Sequence, residues 1–348
     1  MSPTLPALPA VVTGAAILLS LFPLATAAGC ECGYMLKQTS TFFTHKMHTD
    51  FSEIPDTTDV NAALPDWQVQ AWAFDTDSST GVMARKNEAE NVWIKGGKLH
   101  LRQKGHKKDD RAPVSVAEVH SKRTDFHHGS FRAKYKVTVD KKADGGTVAG
   151  FFFYYDDEDE TDIEILTKDG DKTIRYTQHP AYDNVTDSTI PDTTFQMQVK
   201  KPWSTMQEHR FDWTPAKTTF FQDNSAVKEM TKNVPKHEGK VMINLWANNG
   251  TWSGLPSTKD VKMEMEYIMI YFNTSASQSG NDTGFNSACE AAGGPENNTI
   301  CWVNDKSGTD SEDSKVTFSA SSSSPAYILQ SLVLVAGAGL AVLFLVWA

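Results

Sequence analysis

From Gly97 to Phe272 the chain is written in short stretches where apolar and polar side chains alternate, each bounded by Gly, Pro, Asn or Asp. Gly97 to Arg102 alternates, and so does Gly129 to Val137; further runs are Thr147 to Tyr155, Thr173 to Gln178, Phe195 to Val199, Glu208 to Trp213, Thr218 to Gln222, Lys240 to Trp246 and Met263 to Phe272. A period of two is the signature of half-buried strands. No internal repeat and no sustained helical period interrupts them. The spacing and lengths predict an all-β fold, an antiparallel two-sheet β-sandwich occupying residues 29–275.

One run breaks the apolar/polar logic in an informative way. After the aromatic strand Gly150 to Tyr155 comes Glu160-Thr161-Asp162-Ile163-Glu164, closed by Ile165-Leu166. In a strand, Glu160, Asp162 and Glu164 share one face while Thr161, Ile163 and Ile165 take the other. Three like charges on one face repel, so stability does not explain them. At ~3.3 Å rise per residue the backbones of Glu160 and Glu164 stand roughly 13 Å apart. Two long side chains converging over a sugar could meet the about 5–5.5 Å carboxyl separation of retaining glycosidases. Crowding also keeps at least one carboxyl protonated near neutral pH, as a general acid requires. The competing reading, a solvated acidic loop over Asp156 to Glu160, fits a charge run alone. It does not account for carboxylates alternating with Thr and Ile. A helix–loop–helix calcium loop lacks its turn glycine.

The two ends are expected to be processed. Residues 1–28 read as a secretory signal peptide, with the apolar stretch Val11 to Leu24 before the small residues Ala25-Thr26-Ala27. Residues 321–348 read as a glycosylphosphatidylinositol (GPI) attachment signal to be removed. Small serines and a short polar spacer precede the apolar stretch Tyr327 to Ala348, and no flanking basic residue marks a spanning helix. Ser319 is the expected attachment residue. Between them, residues 276–320 are rich in Ser, Thr and Asn and read as a glycosylated stalk carrying two Cys. Sequons begin at Asn184, Asn249, Asn273, Asn281 and Asn297.

The four cysteines, Cys30, Cys32, Cys289 and Cys301, suit a secreted protein and allow three pairings. A Cys30–Cys32 bridge would close a very small strained ring, which favours joining the N-terminal pair to Cys289 and Cys301. Their spacing is not that of a zinc site, and no metal is expected. The formal net charge of −10 disfavours nucleic acid or an anionic membrane surface as partner and is compatible with neutral polysaccharide.

The carboxylate run resembles the Glu-x-Asp-x-Glu signature of glycoside hydrolase family 16. So do other stretches. Asn91 to Ile94 with Gly97 to Leu101 is similar to that family's early strands. Glu118 to Arg123 followed by His128-Gly129-Ser130-Phe131 resembles the strand before the catalytic one, though Arg132 stands where the family commonly has Glu. His209 to Pro215 with Phe220 to Asp223 resembles a later strand pair, with Asn224 where Gly is usual, and Asn244 to Gly254 resembles a Trp-containing loop of the active-site cleft. The likeness spans nearly all of Phe42 to Phe272. It is greatest to fungal GPI-anchored, wall-associated members beginning Cys-x-Cys-Gly-Tyr, here Cys30 to Tyr34.

The resemblance implies a concanavalin A-like jelly roll, with Glu160 as nucleophile, Asp162 as its electrostatic helper and Glu164 as acid/base. Trp246 and Trp252 would offer flat faces to sugar rings, with Asn248 and His179 as further substrate contacts. The expected activity is a retaining endo-1,3(4)-β-glucanase on cell-wall polysaccharide. The protein would be a monomer held at the cell surface or wall by a GPI anchor in the outer leaflet. No cofactor is expected, a structural calcium ion aside. A transglycosylase joining β-glucan to chitin or to glucan shares the motif. A non-catalytic carbohydrate-binding surface protein is the third alternative.

Overall fold

A computed structural model of the protein describes residues 29–140, 144–295, 299–303 and 314–315. The signal peptide, the attachment signal with Ser319, and Asn297 lie outside the described residues. Among the described residues, no helix is long and apolar enough to cross a membrane.

In chain order the strands are β1 (Tyr34–Leu36), β2 (His45–Asp50), β3 (Trp67–Val69), β4 (Arg85–Asn87), β5 (Val92–Ile94), β6 (Leu99–Gln103), β7 (Val114–Ser121), β8 (Gly129–Val139), β9 (Val148–Asp156), β10 (Asp159–Leu166), β11 (Thr173–Gln178), β12 (Thr194–Gln198), β13 (Gln207–Thr214), β14 (Lys217–Gln222), β15 (Ser225–Met230), β16 (Lys240–Trp246), β17 (Val261–Phe272) and β18 (Cys301–Val303). The expected runs all form, shifted by two residues at most. Two large sheets result. The front sheet runs β12-β11-β10-β9-β16-β7-β4, with β3 also on β7, and the back sheet runs β15-β14-β13-β8-β17-β6-β5, with β2 also on β17. The fold is the antiparallel sandwich of a jelly roll, with one parallel pair, β4 on β7.

Alternation builds the core between the sheets. Phe151 and Phe153 of β9, Ile163 and Ile165 of β10 and Tyr176 of β11 turn inward and meet Phe131, Phe211, Trp213 and Phe220 of the back sheet. Phe153 packs on Trp213 with ring centroids 4.4 Å apart, and Tyr176 on Phe220 at 4.6 Å. Each inward aliphatic or aromatic side chain contributes about 1.5–3 kcal/mol of burial. That energy pins the register of β10, because a one-residue slip would bring its carboxylates inside.

The segment after Asn273 differs from the expected stalk. Helix Thr283–Ala291, capped by Asp282, and β18, parallel to β1, lie over the outer face of the back sheet. Bridges Cys30–Cys301 and Cys32–Cys289 fasten them to the N-terminal segment. Leu36, Phe43, Tyr271 and Val303 form a small second core there. Low apolar content misled the composition reading, because two cystines replace much of the burial a larger core would supply.

Arg132 lies on that same outer face of the back sheet. It sits between Met269 and Arg210 with its Nε donating to Ser130 Oγ at 3.0 Å. A sugar contact at this position is therefore not available on the carboxylate face.

Candidate active site

Strands β9 and β10 are joined by a hairpin whose turn takes up most of the acidic run. Asp156, Asp157 and Glu158 are exposed. Asp159 instead turns inward and accepts hydrogen bonds from the backbone N–H of Lys236 and His237. The solvated-loop reading thus holds for three residues and fails from Asp159 onward.

Past one register shift between Tyr154 and Asp156, next to the turn, the ladder runs regularly. Glu160 faces Tyr154, Asp162 faces Phe152 and Glu164 faces Gly150 on β9, while on β11 Asp162 faces Thr177 and Glu164 faces Arg175. Directly paired residues share a face, so all three carboxylates lie on the outer surface of the front sheet. Thr161, Ile163 and Ile165 are fully buried behind them. The same registers extend the surface across β16 and β7, bringing Met242, Asn244, Trp246, Glu118 and His120 onto it. Gly150 permits this close weave, since a Cβ there would lie 2.6 Å from Asn244 Oδ1.

The carboxylates fall into two groups. Glu160 and Asp162 hydrogen-bond to one another, and both are pushed well above the usual carboxylate range. Burial is the first cause for each; for Glu160 the charge of Asp162 adds to it. His179 Nε2 approaches Asp162 Oδ2 at 3.2 Å, and polar atoms of Glu160, Asp162 and His179 lie within 4.8 Å of one another. The cluster is arranged to share a proton, and the same atoms stand close enough to hold a cation, with Asp162 Oδ1 buried and without a hydrogen-bond partner. The hydrogen bond between Glu160 and Asp162 raises Glu160 and lowers Asp162, so before substrate binds the shared proton sits on Glu160.

Glu164 stands apart. Burial raises its carboxyl to about 7, opposed by the Trp252 indole N–H and by the positive charges of His179 and Arg175. Trp252 Nε1 donates to Glu164 Oε1 at 3.2 Å and Oε2 at 3.1 Å.

The other expected site residues separate clearly. Trp246 is on the carboxylate face, but the Arg85 guanidinium covers its ring at 4.5 Å, and Phe74 lies on the same guanidinium at 4.5 Å. Asn248 turns its side-chain oxygen into its own loop, accepting from Gly250 N–H and Ser253 Oγ at 3.0 Å each. Of the sequons, Asn184 and Asn281 are exposed. Asn249 donates to Gly81 O at 3.1 Å, and Asn273 accepts from Thr44 N–H at 3.0 Å.

Sequence reasoning missed Glu118 and His120 as site residues. They are 2.5 Å apart on the same face, two strands beyond β9. Their i, i+2 spacing within Val114 to Ser121 was the available signal.

Comparison with known proteins was then decisive. The profile of Glycosyl hydrolases family 16 matches residues 73–269, which contain every strand of the carboxylate face from β4 to β16. The chain belongs to glycosyl hydrolase family 16. Curated relatives include a beta-glucanase of Acetivibrio thermocellus, 28% identical over 163 residues, which are 42% of this chain and 47% of that protein. A beta-glucanase of Paenibacillus macerans is 30% identical over 127 residues, 34% of this chain and 51% of that protein. The chain thus spans about half the length of the curated relatives it matches. Among solved structures, a native glycosidic hydrolase aligns with a TM-score of 0.51 and 22% identity, covering 66% of this chain and 96% of that one. The laminarinase catalytic domain from Thermotoga maritima aligns with a TM-score of 0.50 and 15% identity, covering 66% and 98%. At such identities these two likenesses bear on the fold of the family 16 sandwich alone.

Proposed function

We propose that the protein is a retaining, endo-acting β-glucan hydrolase. One observation carries the reading: a strand of the family 16 fold presents Glu160, Asp162 and Glu164 together on its outer face, with Glu164 poised at about 7. Protonated Glu164 is the general acid. Glu160, ionised once it passes the shared proton to Asp162, is the nucleophile. Glu160 attacks the anomeric carbon and the bond to the leaving oxygen breaks. That oxygen takes the proton of Glu164, and a glycosyl ester remains on Glu160. Glu164, now ionised, removes a proton from water. The water oxygen attacks the same carbon, and Glu160 leaves as carboxylate with configuration retained.

The beta-glucanase names of the curated relatives support β-glucan as the substrate class. The exposed face needs no cofactor for these steps. The terminal apolar stretches support secretion and a GPI anchor at the cell surface, where wall polysaccharide is within reach, and the enzyme would act as a monomer.

The test is a set of carboxylate variants assayed on a panel of β-glucans, with product sizes and anomeric configuration recorded. Glu160→Gln should lose nearly all turnover, since an amide is no nucleophile. Glu164→Gln should fall by about 10²–10⁴-fold on polymer and less on an aryl glycoside with a good leaving group. Azide should rescue Glu164→Ala with a β-azide product. Near-parent activity of Glu160→Gln on every glucan would overturn the assignment. Transfer of glucan to a labelled acceptor in place of water would instead mark a transglycosylase.

A further inference from the structure

The Asn248 to Gly254 loop does more than border the carboxylates. It is internally tied, with Asn249 N–H donating to Gly254 O at 3.0 Å and Gly254 N–H to Gly250 O at 2.8 Å. It is also tied to its surroundings. Met83 N–H donates to Asn248 O at 2.7 Å, and Lys168 Nζ donates to the carbonyls of Thr251 at 3.2 Å and Trp252 at 2.5 Å. The product of all this fastening is one indole in one place. Its N–H spans both oxygens of Glu164. Its ring carries the Arg175 guanidinium 4.7 Å from the centroid, and Arg175 is held in turn by Asp169, Nε to Oδ2 at 2.9 Å. Arg175 is also the direct cross-strand neighbour of Glu164.

This wiring gives Trp252 a task besides any sugar contact on its other ring face. Its one polar atom is taken, and one ring face is occupied by a cation. We propose that Trp252 is a positioning residue for Glu164: the Asp169–Arg175–Trp252 relay aims the Glu164 carboxyl at the leaving oxygen and stabilises its ionised form for the second half of the reaction. The proposal rests on Glu164 being the acid/base.

The physical balance is direct. An acid/base must hold its proton before the first step and release it before the second, so neither form can be strongly favoured. Burial alone drives Glu164 toward the protonated form; the indole N–H and the neighbouring cations pull it back. The charged groups facing Glu164 are Glu160 and Asp162 on its own strand, Arg175 on β11 and His179 beyond it. On β9 and β16 the facing residues are Gly150 and Asn244, which carry no charge. Glu118 lies one strand further, on β7.

Trp252→Phe deletes the N–H and keeps a ring beneath Arg175. On β-glucan its kcat/KM should fall about ten- to hundredfold through misorientation. The basic limb of the kcat/KM profile should move upward by about one pH unit. On an activated aryl glycoside, whose first step needs little acid, the loss should stay under about threefold. A merely structural role would lower both substrates equally and leave the limb in place, and that result would overturn the proposal. Carbon-13 detection of the Glu164 carboxyl titration, in intact parent and variant, reads the same shift without turnover. Should Trp252→Phe not fold, Arg175→Met in that titration must show a shift of the same sign, and no shift would also overturn the proposal. Glu164→Gln on the same substrates separates the two levels. If it retains parent activity, the acid/base assignment fails. If it is inactive on polymer while Trp252→Phe leaves the limb unmoved, only the relay fails.

Discussion

Three like-charged side chains on one strand cost stability, and the sign of that cost follows from where their protons go. An unfolded Glu ionises near 4.5, whereas Glu164 in the fold ionises near 7. Between these values the folded state holds a proton that the unfolded state has lost, so stability falls as pH rises from 4.5 to 7. Glu164 alone contributes up to about 3 kcal/mol of this loss. Glu160 and Asp162, also raised, act in the same direction. Glu164→Gln should therefore be more stable than the parent at pH 8, and the gap should close by pH 4. Urea unfolding at both values checks this; an equal difference at the two pH values would contradict it. The basic fall of kcat/KM should begin near the same value of about 7, where the acid loses its proton.

At the scale of elements, the β9–β10–β11 ladder sets the site. Inward Ile163 and Ile165 hold the register, and the outward face takes whatever chemistry the sequence places there. Gly150 is a tight point of this ladder. Gly150→Ala would push a methyl group to 2.6 Å from Asn244 Oδ1, so β9 and β16 must part or Asn244 must turn away. The expected cost is about 1–3 kcal/mol, with a loss of kcat from the displaced neighbourhood of Glu164. Thermal unfolding together with kcat on β-glucan measures both. A variant as stable and active as the parent would show that this contact is not constrained.

For the whole molecule, the cystine-held cover and the carboxylates lie on opposite outer faces of the sandwich. Removing Cys32–Cys289 by a double Ser substitution should cost about 2–5 kcal/mol, chiefly by freeing the unfolded chain. At temperatures where the variant is still folded, kcat/KM should match the parent. A drop in kcat/KM without a drop in melting temperature would mean that the cover reaches the site. At the cell, the proposed anchor predicts release of the protein by a phosphatidylinositol-specific phospholipase. Retention after treatment, with Tyr327 to Ala348 still attached, would rule the anchor out.

What the sequence determined by itself is whatever local alternation encodes. The strands, their inward faces and the shared face of Glu160, Asp162 and Glu164 were legible because a period of two fixes sidedness before any partner strand is known. The N-terminal cysteines paired with the distant ones as the short Cys30–Cys32 spacing suggested. Tertiary structure decided the rest, since it depends on which strands become neighbours. Only the register of β16 and β7 brings Glu118 and His120 to the carboxylate face. Only the packed loop makes the Trp252 indole a hydrogen-bond donor to Glu164 and turns the Asn248 side-chain oxygen onto its own loop. Local sequence carries sidedness; the partners of a side chain are chosen by contacts between residues far apart in the chain.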